Sequence, residues 1–321
     1  MNAYIEIESL KSLISQRGDE RYGECMRMLK RNLNLNFSFS KADALSDPAI
    51  QNWIKDLTTG SIALKPNWDC DYPDPENELT LDHITIDKLC AVYLLDDDEP
   101  QELANAMLVS YRGQELDTLS KLYVKKDTQE FEYEPSPSQI ASWSNIADYT
   151  VQCSDILLAD RYILSDKSLL RKNLYQLIRV LVKKTRGVKV NIVIIVESKK
   201  IGFGVDIDSV IDTIKQIVED TVGEEPNVTV LLCSSRGRQP LFHDRLILTN
   251  YRAITSGDSF NYFNENGKIR TGGFGITISS LAKNCSYVQD RVIKTFSRQL
   301  NNEIQYAVIK GDKKSNFLMF T

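Results

Sequence analysis

One of the two histidines of the chain, His243, stands two residues before Arg245 in the run Phe242-His-Asp-Arg-Leu-Ile-Leu-Thr-Asn250. Alternate residues of a strand face the same side, so these two side chains are expected to project together. An imidazole can act as nucleophile or general acid, and a guanidinium can grip two phosphate oxygens at once. The pairing suits a phosphate ester. The preceding loop, Arg236-Gly-Arg-Gln-Pro240, brings Arg236 and Arg238 to the same end of the strand. More cations gather at Lys183, Lys184 and Arg186, with Lys189, Lys199 and Lys200 nearby in sequence. Such a cluster either tracks a nucleic-acid backbone, displacing counterions, or balances the dipole at a helix end. Tyr251, Phe260, Tyr262 and Phe263 follow closely, as platforms for stacked bases or as core.

Other chemistries find less material. The six cysteines (Cys25, Cys70, Cys90, Cys153, Cys233, Cys285) form no CxxC pair, and His83 is the one further histidine. Neither a zinc site nor any other cofactor is expected from them. The acidic run Asp96–Glu99 ends an apolar segment, where it either binds a hard divalent cation or forms a solvated loop at a helix N-terminus. Gly202-Phe-Gly204 and Gly272-Gly-Phe-Gly275 read as turns, because no G-x4-G-K-[ST] occurs to make a P-loop.

The elements that must position these residues are those of an ordinary globular chain, 42% hydrophobic and 26% charged over 321 residues. The apolar run Leu89–Leu95 falls far short of the ~20 residues that span a bilayer. No basic-then-apolar start marks a signal peptide, and idle scattered thiols suit a reducing compartment, so a cytoplasmic location is expected. Residues 1–150 hold 14 Lys/Arg against 27 Asp/Glu, whereas residues 151–321 hold 25 against 17. That asymmetry and the Pro- and Ser-containing stretch at 133–138 place a domain seam near 134–148, giving domains 1–145 and 146–321. Both are expected to be α/β. In the first, Tyr4–Glu8 reads as a strand, Arg21–Leu33 and Pro48–Leu57 as helices, Leu89–Leu95 as a buried strand and Gln101–Ser110 as a helix. In the second, Asp155–Ala159, Val188–Val196 and Asn227–Cys233 read as buried strands. Between them lie a helix from Leu169 to Val182 and another opened by Asp206 or Asp208. Short strands at Leu246–Thr249 and Gly275–Ser279 and a helix over Tyr287–Leu300 complete it.

With these elements in place, the second half resembles the phospholipase D superfamily, whose signature is H-x-K-x4-D-x6-G-S-x2-N. The spacing is kept: His243 falls on the histidine, Arg245 on the lysine, Asn250 on the aspartate, Gly257 on the glycine, Asp258 on the serine and Asn261 on the asparagine. The segment Ile156–Ile163 is similar to the strand that opens such a unit, with Asp160-Arg-Tyr162 at its end. The His-x-Arg form resembles degenerate members, including the C-terminal domain of MIT-domain proteins and stand-alone bacterial phospholipase D-like proteins. The resemblance covers roughly residues 150–300. It implies catalysis by two such motifs across a pseudo-dyad, and this chain carries one, so a complete site would need a homodimer.

The replaced lysine, aspartate and serine argue against efficient catalysis and leave phosphate binding. The expected function is therefore phosphodiester recognition, of nucleic acid first, by a degraded phospholipase D-like domain. Its residues are His243, Arg245 and Asn261, supported by Arg236, Arg238, Asn250, Lys183, Lys184 and Arg186. The acidic half is expected to dock a protein partner, by family analogy within a bacterial defence complex or another larger assembly. Two alternatives stand beside this: a homodimeric, metal-independent nuclease using His243, and an inert protein- or membrane-surface adaptor.

Overall fold

The computed structural model describes residues 1–58, 66–70, 90–97, 107–125, 130–234, 245–270, 275–283 and 308–312. The fold is α/β and forms two compact units, one of Met1–Phe131 with Leu281–Cys285 and the other of Glu132–Ser280 with Ser286–Thr321. The unit changes after Phe131, ahead of the seam expected between 145 and 146. The cause is β5 (Glu132–Tyr133), which pairs with a strand of the second sheet.

In the first unit, β1 (Asn2–Ile5), β2 (Asn34–Phe37), β3 (Val92–Leu94) and β4 (Leu108–Ser110) form a parallel sheet ordered β2-β1-β3-β4. Tyr4 and Tyr93, partners in register, stack with ring centroids 5.2 Å apart. Among the described residues its helices are α1 (Ile7–Ser15), α2 (Tyr22–Asn32), α3 (Lys41–Ser46), α4 (Pro48–Thr58) and α5 (Glu115–Ser120). The strand expected over Tyr4–Glu8 ends early. Helix α1 begins at Ile7 because Asp96, just beyond β3, accepts hydrogen bonds from Glu8 N at 3.2 Å and Ser9 N at 2.6 Å. The first carboxylate of the acidic run thus caps a helix, and burial pushes its carboxyl above the usual range. Among the described residues no group of His, Cys, Asp or Glu is arranged to hold a metal. Residues 98–106 lie outside the described set, but Leu108–Ser110, expected at the end of a helix, is strand β4. Its β-branched centre and buried flanks suit that sheet position. Helix α4 starts as expected, with Asp47 Oδ1 accepting from Ala49 N and Ile50 N ahead of Pro48 in the first turn.

The second unit is built on an eight-stranded sheet ordered β12-β8-β7-β6-β9-β10-β11-β5. Its centre is the parallel trio β6 (Asp155–Ala159), β7 (Asn191–Glu197) and β8 (Asn227–Cys233). These are the near-continuous apolar runs of the sequence, buried on both faces as central parallel strands must be. β9 (Arg245–Thr249), β10 (Arg252–Ser256) and β11 (Ile276–Ser280) continue antiparallel on one side, and β12 (Val308–Gly311) on the other. Helices α6 (Leu174–Val182) and α7 (Ile207–Val222) make the two crossovers and pack against each other. Asp206 caps α7 through Asp208 N, and Gly223 ends it at φ +92°. Asp166 caps only a 3-10 turn at Lys167–Leu169, and the α-helix proper begins after Asn173. Asn173 explains the break. Wholly buried, it donates to Leu169 O and Phe263 O and accepts from Phe263 N, fixing the chain outside helical geometry. The helix expected over Tyr287–Leu300 lies outside the described residues.

No helix among the described residues is long and apolar enough to cross a membrane.

Candidate phosphate-binding site

β6, β7 and β8 run in one direction, so their carboxyl ends meet along one edge of the second sheet. Ligands of open α/β sheets bind in this place. β9 is antiparallel to β6 with Ala159 opposite Leu246, which sets the first residue of β9, Arg245, at the same edge. Beyond β6 the chain turns through Asp160-Arg-Tyr162. Asp160 is wholly buried and ties three segments together. Its Oδ1 accepts from Tyr162 N at 2.8 Å, and its Oδ2 accepts from Ser259 Oγ and Phe260 N, both at 2.7 Å. Burial drives this carboxyl above its ordinary range, opposed by those three hydrogen bonds and by the charge of Arg245.

Tyr162 is the centre of the cluster. The guanidinium carbon of Arg161 lies 5.3 Å from its ring centroid, Lys200 Nζ 5.4 Å and the guanidinium carbon of Arg245 5.8 Å. Cations gather over aromatic faces because the ring quadrupole is negative there. Arg161 is also paired with Glu197 at the end of β7, at 2.6 Å. Arg245 Nη1 donates to Gly257 O at 2.7 Å. Lys200 has no carboxylate partner among the described residues. Three cations thus face two buried carboxylates, Asp160 and Glu197, leaving an excess of positive charge. Asn261 closes the other side, its Nδ2 donating to Tyr162 O at 2.5 Å and to Ser165 Oγ at 3.4 Å. Its Oδ1 is buried and has no hydrogen-bond partner among the described residues. This arrangement can hold an oxyanion by charge.

Of the residues expected to act on phosphate, the structure brings Arg245 and Asn261 together at this edge. Asn250 stands elsewhere. It follows the last residue of β9, and at about 3.3 Å per residue that is roughly 16 Å from Arg245. There it is wholly buried, with Oδ1 accepting from Ser154 N at 3.0 Å and Asp155 N at 3.2 Å, and Nδ2 donating to Ser154 Oγ at 3.0 Å. It joins two strand ends and faces no ligand. The buried carboxylate beside Arg245 is supplied by Asp160.

Lys183, Lys184 and Arg186 also fall at that far edge. Thr185, between them, bonds Cys153 just before β6, and Lys184 Nζ donates to Thr150 O at 2.5 Å. They therefore lie at the amino end of β6 and do not join Arg245. His243, Arg236 and Arg238 lie outside the described residues, as do the tail of the acidic run and most of Gly272–Gly275.

The aromatics next to the motif are core. Trp143, from the 3-10 segment Trp143–Tyr149, sits 5.7–6.2 Å from the rings of Phe260, Tyr262 and Phe263. Those three rings and Tyr251 are all buried. Asp258 is exposed, and its neighbour Ser259 supplies the hydroxyl that Asp160 binds.

Sequence reading did not assign Arg161 and Tyr162 a role at the site, and placed Lys200 only with the basic cluster around Lys183. The signal was present, because Arg161 and Tyr162 directly follow the Asp160 that succeeds the buried strand β6. No protein-family model matches the chain, and no curated protein matches it.

Proposed function

We propose that the second unit binds a phosphodiester, nucleic acid first, at the carboxyl edge of β6–β8, and that Arg245, Lys200 and Arg161 supply the attraction. The observation that carries this reading is the convergence of those three cations on the ring of Tyr162, whose backbone is held by Asn261. Arginine at position 245 suits a phosphate, since its planar fork engages two oxygens at once. The phospholipase D resemblance agrees in placing Arg245 and Asn261 at one site. Asn250 in place of aspartate removes no charge from that site, because its oxygen serves two backbone N–H groups far from Arg245. In this reading the acidic first unit is left to a protein partner.

Anisotropy titrations of labelled DNA and RNA over a salt series test the proposal. Affinity is expected to fall with salt, and Arg245→Ala and Lys200→Ala each to flatten the log–log slope by about one charge. Lys183→Ala, at the opposite edge, is expected to change little. Equal binding by wild type and both edge variants would overturn the assignment. Cleavage in EDTA that His243→Ala abolishes would instead establish the nuclease alternative.

A further inference from the structure

The candidate site lies beside an aromatic ring that the phosphate reading does not use. After β7, the 3-10 turn Ser198–Lys200 leads into Ile201-Gly-Phe-Gly-Val205, and Phe203 at its tip is fully exposed. The turn is built to hold it there. Gly202 N donates to Leu164 O at 2.9 Å, and Val205 N donates to Gly202 O at 3.2 Å. Gly202 lies so close to the next peptide that a Cβ would stand 2.2 Å from Ser165 O. Gly204 has φ +75°, which strongly favours glycine. The other side of the same Tyr162–Ser165 turn carries the phosphate cluster, since Ser165 N donates to Tyr162 O, which also accepts from Asn261. Lys200, over the Tyr162 ring, is three residues from Phe203, a span of at most about 10 Å.

We propose that Phe203 is a base-stacking platform and that the ligand of this edge is single-stranded nucleic acid. The inference rests on the phosphodiester reading above. Every base has a π-face, and a ring fixed beside a phosphate site can take one without reading its identity. A duplex offers no such face within its stack. An anionic bilayer is a poorer occupant, because Asp206 and Asp208 are exposed only a few residues beyond Phe203 and would be pressed against it. A single strand can place one base on the ring and keep its phosphates on the cations.

Three probes separate the outcomes with the full chain: labelled oligothymidylate, an abasic oligomer of equal length, and the matching duplex. Wild type is expected to prefer oligothymidylate to both others. Phe203→Ala is expected to weaken oligothymidylate binding by about tenfold while leaving the abasic oligomer unchanged. Phe203→Trp should retain affinity, and the emission of its added indole should be quenched by oligothymidylate. Undiminished oligothymidylate binding by Phe203→Ala, or no quenching in Phe203→Trp, overturns the stacking role while the phosphate reading stands. Should wild type bind neither oligomer, the phosphate reading itself fails and takes this inference with it. A parallel sedimentation with phosphatidylserine vesicles covers the remaining occupant. Loss of vesicle binding in Phe203→Ala, with oligothymidylate binding unaffected, makes the ring a membrane contact and overturns the proposal.

Discussion

Arg245 and Asn250 are separated by a single strand, and what each can do follows from its end of that strand. Arg245 opens β9 at an edge where charge accumulates; Asn250 closes it where backbone groups need partners. Asn250→Ala would leave Ser154 N and Asp155 N buried without their acceptor, at about 1–3 kcal/mol for each group. The expected result is a stability loss of about 2–5 kcal/mol in denaturant unfolding, with nucleic-acid affinity of the folded fraction unchanged. Arg245→Ala should instead lower affinity. A fall in affinity in Asn250→Ala that matches the fall in Arg245→Ala would show that distance along β9 does not separate the two roles. Asp160 belongs to both classes, since it holds Tyr162, Ser259 and Phe260 in place and sets the charge opposite Arg245.

Among the elements, the turn Gly202–Val205 depends on residue type for its shape. Gly202→Ala forces a methyl onto Ser165 O, so the Leu164–Gly202 contact must open. Overpacking of this kind typically costs about 1–3 kcal/mol, and calorimetry should show it as a lowered Tm. An unchanged Tm would mean that the turn yields without strain. The central strands of the second unit were legible because Ile, Val and Leu crowd them so fully that only burial on both faces explains them. β10 escaped notice because Arg252 and Thr255 break its apolar pattern, and Arg252 is buried with its Nε donating to Tyr149 O. The break at Asn173 was equally hidden, since its cause is a contact with Phe263, ninety positions away in the chain. The motif spacing pointed to Arg245 and Asn261, but not to Asn250's place at the far edge. Nor did proximity in sequence reveal that Phe260, Tyr262 and Phe263 close around Trp143, while Phe203 stays in solvent.

On the scale of the molecule, several protons are held by burial. In the second unit, desolvation raises the Cys153 thiol, Tyr149 and Tyr262, each to about 12. A folded state that keeps protons the unfolded chain releases loses stability as pH rises. The loss begins near pH 9 for Cys153, the ordinary thiol value, and continues to about 12. Arg252 opposes it, because burial lowers its guanidinium to about 9 and favours the folded state at higher pH. Three groups against one predict a net decline in Tm on the alkaline side. Cys153→Ala is expected to make that decline shallower, and an identical slope in the variant would remove the thiol from the balance.

The first unit is not finished where the second begins. Leu281 and Ala282 are buried and Lys283 O accepts from Asn32 Nδ2, so this short stretch returns to complete the unit that the chain left after Phe131. During synthesis, that piece follows some 150 residues later, a wait of roughly eight to thirty seconds at about 5–20 residues per second. The unit encoded first therefore cannot close until most of the second has been made, and through that interval its unfilled surface stands open to whatever meets the nascent chain.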